Sequence, residues 1–139
     1  MKKIKSCIIL LMVCVTCLAS STFASARASA QIDYYTMDVT STGGGRIAIM
    51  FSVTGANIMN ELGAESIYIF ERATLGWELA DSFDKDDPNM TKTNAIKYGN
   101  TVYFNGESGK EYRIIVTIFA EDKDGESDSR SKTFSITAE

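Results

Sequence analysis

Carboxylates dominate the side chains of this sequence that could do chemistry. Its 139 residues hold eighteen Asp and Glu, three Cys at positions 7, 14 and 17, and no His. Without a histidine the chain can build neither a Ser-His-Asp nor a Cys-His nucleophilic site, and three cysteines crowded before Leu18 do not make the usual zinc ligand sets. Gly43-Gly44-Gly45 lacks the lysine and the following helix of a phosphate-binding loop and reads as a turn. Two carboxylates flanking a cleft suffice for glycoside hydrolysis. The acids here cluster in polar segments instead, and none is marked as buried, so no catalytic residue and no cofactor are assigned and the chain is expected not to be an enzyme.

Two acidic segments have the oxygen-rich composition of a calcium loop. One runs over Asp81, Asp84, Asp86 and Asp87; the other holds Asp122, Asp124 and Asp128. Lys85 and Lys123 interrupt them, and both lie where turns belong, so solvated hairpin tips are the simpler expectation and Asp122, Asp124 and Asp128 stand only as a weak metal candidate.

The elements that must position these residues begin after residue 30. Lys2, Lys3 and Lys5 precede an apolar run from Cys7 to Leu18, too short for a membrane span of about 20 residues, and Ala19 to Ala30 is rich in small residues. This is the pattern of a cleaved signal peptide over 1–30, with Ala-x-Ala sites ending at Ala26 and at Ala30 and the second preferred. Val13 and Thr16 precede Cys14 and Cys17, which argues against lipidation. The expected mature domain, 31–139, is cysteine-free and holds ten basic against eighteen acidic residues, a net charge of −8. Such a charge does not suit nucleic acid or an anionic membrane surface. No stable membrane anchor is expected after cleavage, and the address is extracellular, with the look of a small secreted protein of a Gram-positive-type bacterium.

Within 31–139 short runs alternate with period two and are separated by Gly, Asn and Asp. Tyr35, Met37 and Val39 form one such run; Ile47, Ile49, Phe51 and Val53 a second. Ile58, Met59 and Leu62 sit at helical spacing before Gly63 and predict a short helical turn. Strands are then predicted over Ser66–Arg72 and Trp77–Phe83, before a loop over Asp84–Thr93. Two more flank a turn at Gly99-Asn100. Tyr112 to Ala120 is the strongest strand, and a hairpin turn at Asp124-Gly125 leads into the last, Ser129–Thr137. About seven antiparallel strands at this spacing predict an all-β sandwich.

The stretch Gly109-Lys110-Glu111-Tyr112-Arg113-Ile114-Ile115-Val116-Thr117 resembles the sixth strand of fibronectin type III and other immunoglobulin-like domains. The resemblance implies an Ig-like sandwich in which Tyr112 makes a corner hydrogen bond, and it carries over no catalytic residue. Such domains serve as binding modules or spacers. The expectation is therefore a secreted, non-catalytic module for an extracellular protein or glycan, with a structural cell-surface or envelope spacer as the alternative and a calcium-binding module as a remote one. If Ile67 and Ile69 point inward, Tyr68 and Phe70 point out, as do Ile115 and Phe119; with Trp77 they form a candidate ligand-binding stripe.

Overall fold

Alternation with period two commits nearly the whole domain to extended chain. A computed structural model describes residues 30–139; the expected signal segment, save Ala30, lies outside the described residues. Among the described residues are six strands: β1 (Ile32–Gly43), β2 (Arg46–Ala73), β3 (Gly76–Asp84), β4 (Thr91–Asn105), β5 (Glu111–Glu121) and β6 (Ser127–Thr137). Every pairing is antiparallel, in the order β1-β2-β5-β6, with β3 and β4 paired to β2. The sheet curls, so that β1 comes to lie against β6.

β2 is the organising element. Its first part, to Thr54, pairs with β1 on one side and with the end of β4 on the other. From Glu61 onward it pairs with β5, and from Ser66 with β3. Inward side chains from both parts, Ile47, Ile49, Phe51 and Val53 with Ile67 and Ile69, meet Tyr112, Ile114, Val116 and Ile118 of β5 in one core. Each such side chain removed from water contributes about 1.5–3 kcal/mol, which suits a domain without disulfides. Tyr112 is fully enclosed; its ring meets Phe104 edge-on at 5.2 Å and its Oη accepts the Glu107 N–H at 2.9 Å.

Two local expectations are corrected. No helical turn forms at Ile58–Leu62, and the strands predicted on either side of it are one element, β2. Met59 pairs with Ala95 and Leu62 with Lys92, after a register shift between Thr54 and Met59. A strand that slips phase at a bulge buries Met59 and Leu62 while exposing Ile58, which mimics helical spacing. Gly63 serves close approach instead of capping a helix, because a Cβ there would strike the Met90 carbonyl. Nor does the chain turn at Gly99-Asn100: β4 runs straight through, and Gly99 lies so near β2 that a Cβ would come within 2.8 Å of the Phe51 carbonyl oxygen. The glycine permits contact between strands and does not reverse the chain. The turns at Gly43-Gly44-Gly45 and at Asp124-Gly125 are present.

Candidate functional site

The outward face of β3, β2 and β5 is a row-by-row consequence of register. Phe70 pairs with Leu79 of β3 and Arg113 of β5; Tyr68 pairs with Ser82 and Ile115; Arg72 pairs with Trp77. A bulge skips Ala80 between Ile69 and Phe70, which sets Leu79 beside Phe70. Tyr68 is 44% exposed and Leu79 57%, while Phe70, Trp77 and Ile115 are half-buried. Phe119, expected in the same stripe, is buried: it pairs with Gly63 past the shift between Ala64 and Ser66, and the Lys85 ammonium lies 5.9 Å from its ring centre.

Trp77 sits among cations. The guanidinium of Arg113 is 4.4 Å from its ring centre and that of Arg72 5.1 Å. Arginine over an indole is held by the ring quadrupole, worth about 0.5–1 kcal/mol at an exposed site. The contacts orient the indole and place two cations beside the apolar row. The structure thus joins four of the five residues predicted from sequence, Tyr68, Phe70, Trp77 and Ile115, and adds Leu79, Arg72 and Arg113. Arg113 was legible, since it shares the alternation phase of Ile115; Leu79 was hidden by the bulge.

An open cleft of about 500 Å³ adjoins this face at the β2–β3 turn, bordered by Glu71, Arg72, Thr74, Leu75, Glu78 and Lys110. The Lys110 ammonium bonds the Glu71 and Glu107 carboxylates. Those hydrogen bonds, Glu71 first and Glu107 next, hold its pKa well above the ordinary lysine range. An ammonium so held stays protonated at neutral pH and cannot serve there as a base or amine nucleophile.

The acidic segments are occupied with their own turns. Asp84 accepts the Asp86 N–H and donates its own N–H to Asp87. Asp122 Oδ1 accepts the N–H groups of Asp124 and Glu126, while its Oδ2 accepts from the Gln31 side chain. Asp128 Oδ2 accepts the Gln31 N–H. Among the described residues no group of three His, Cys, Asp or Glu is placed to hold a metal ion, so the weak candidate Asp122, Asp124 and Asp128 does not converge.

No family model and no curated protein matches this sequence. Among solved structures, the chain is similar to the superoxide reductase (neelaredoxin) from Archaeoglobus fulgidus in its reduced form. Identity is 14% and the TM-score 0.39, over 82% of this chain and 98% of that one. The protein of that structure is named for a catalytic activity. The expectation that this chain is no enzyme is therefore withdrawn, and with it the reading as a non-catalytic binding module, a spacer or a calcium-binding module. A likeness of this degree carries no activity, metal or substrate to this chain.

Proposed function

We propose that the outward face of β2, β3 and β5 is a recognition surface for a protein outside the cell, reached after export and removal of residues 1–30. The observation that carries this reading is Trp77 with the Arg72 and Arg113 guanidiniums over its ring, beside exposed Tyr68 and Leu79. Tryptophan, tyrosine and arginine are the residue types that dominate binding energy at protein interfaces. Leu79, with Leu75 at 96% exposure on the neighbouring turn, favours a protein over a sugar, because aliphatic side chains offer no ring to stack on a pyranose. The net charge of −8 over residues 31–139 speaks against nucleic acid. A face of this kind serves a binding protein and an enzyme's macromolecular substrate alike.

The same face fits a finer fold reading. Dividing β2 at its register shift yields seven strand segments in two layers, β1, first β2 segment and β4 against β3, second β2 segment, β5 and β6. The Tyr112 Oη bond to the Glu107 N–H supports the fibronectin type III-like corner. In that layout the candidate face lies on the outer side of the second layer.

Photo-crosslinking tests the surface. A photoreactive residue in place of Tyr68 or of Leu79 is expected to capture the same extracellular protein, and one in place of Thr36, on the outward side of β1, is expected not to. Capture should fall at least about tenfold in a Tyr68→Ala, Leu79→Ser variant, the loss typical of central interface residues. Equal capture from position 36, or none from 68 and 79, would overturn the reading.

A further inference from the structure

Gln31 is held from three sides. Ala30 before it is exposed, whereas Gln31 is 8% exposed although polar. Its backbone nitrogen donates to Asp128 Oδ2 at 2.8 Å, its Nε2 donates to Asp122 Oδ2 at 3.0 Å, and its carbonyl accepts the Ala56 N–H at 2.9 Å. Thus β6, the turn before it and β2 all converge on the residue just before β1. A carboxylate facing a backbone nitrogen makes an ordinary N–H bond while the chain continues through Ala30. It would make a far stronger one with an ammonium, whose full charge shortens and roughly doubles such a bond.

We propose that the Ala30–Gln31 peptide bond is a proteolytic processing site and that the α-ammonium it releases is seated on the Asp128 carboxylate, with Asp122 holding the Gln31 side-chain amide beside it. A peptidase hydrolyses the bond: water gives its hydroxyl to the Ala30 carbonyl carbon and its hydrogen to the Gln31 nitrogen, which takes up a further proton to become the ammonium. The exposed small residue on one side of the bond and the built socket on the other meet at this one position. The new terminus becomes a clamp that closes β1 onto β6, so removal of the leader completes the fold. The clamp also protects the terminus chemically. A free N-terminal glutamine cyclises when the α-nitrogen lone pair attacks Cδ; the N–Cδ bond forms, the Cδ–Nε2 bond breaks, and the α-nitrogen's proton passes to the leaving nitrogen as ammonia departs. An ammonium held by Asp128 has no lone pair to offer, and Asp122 holds Nε2 in place.

The core cluster of the described residues begins at Ile32, so chains starting at Gln31 and at Ala28 both carry it and can be compared without the leader. The chain starting at Gln31 is expected to melt about 4 °C or more above the one starting at Ala28. Asp128→Asn should remove that difference and speed ammonia loss, followed by intact mass. The protein exported from the full chain should begin at Gln31. An export product beginning at Arg27, an extended chain that melts as high as the short one, or a difference that survives Asp128→Asn would overturn the proposal. Should Asp128→Asn not fold, the two unsubstituted chains and the export product decide it.

Discussion

Tyr112 performs two tasks with one side chain. Its ring fills the core against Phe104, while its hydroxyl reaches the Glu107 amide in the loop that leads into β5. Tyr112→Phe keeps the ring and orphans that amide. The expected cost is about 1–3 kcal/mol, the desolvation penalty of a polar group left without its partner. Urea unfolding checks it: the midpoint should fall with the slope unchanged, and an unchanged midpoint would mean that water replaces the hydroxyl at no cost. Tyr112 was legible from its position at the head of the strongest apolar run, and Tyr68 and Trp77 from the alternation around them. The role of Gln31 was not, since its partners lie about ninety residues away in sequence and nothing local to a glutamine announces two carboxylates.

At the scale of elements, reading failed where a glycine or an apolar triplet had two meanings. Gly99 looks like a turn residue because turns are where glycine usually sits; in β4 it is the close contact with Phe51 and Ser52. Ile58, Met59 and Leu62 satisfy a helical spacing and equally a bulged strand, and only the pairing partners Ala95 and Lys92 decide between them. β5 offered no such choice, because its inward residues alternate without a break. β6 shows how an edge is kept single. Among the described residues it pairs with β5 alone, and on its inward phase it carries Arg130 and Lys132 beside Phe134, whose ring centre lies 4.8 Å from the Lys132 ammonium. Charges pointing inward at an edge block the addition of another strand. Replacing Arg130 and Lys132 with Val should leave the monomer folded and convert the protein to dimers or larger species in size-exclusion chromatography. A monomeric double variant would show that β1, lying against β6, already closes the edge.

At the scale of the molecule, the curled sheet is tied at both ends of the β1–β6 seam. Gln31 fastens one end. At the other, Gly45 N–H bonds the Glu139 carbonyl at 2.6 Å, Glu139 N–H bonds Ser41 Oγ at 2.9 Å, and Ala138 exchanges bonds with Gly109 and Lys110 at 2.7 and 2.9 Å. Ala138 is 1% exposed. The last two residues therefore join the turn after β1, the loop before β5 and the end of β6, and they act as structure although they follow the final strand. Each of these bonds is worth about 0.5–1.5 kcal/mol net, and ordering a residue costs about 1–2 kcal/mol of backbone entropy. The bonds exceed the entropy of two residues by a small margin, to which Ala138 burial adds. Deleting Ala138 and Glu139 should then lower stability by about 1–2 kcal/mol and the melting temperature by roughly 5–10 °C for a domain of this size. Thermal unfolding followed by circular dichroism reads the shift directly. A Glu139→Ala variant separates backbone from side chain, since the Glu139 bonds named here run through its main-chain nitrogen and oxygen: it should melt with the parent chain while the deletion melts early. If the deletion melts with the parent too, the seam is held by the packing of β1 on β6 and by Gln31 alone.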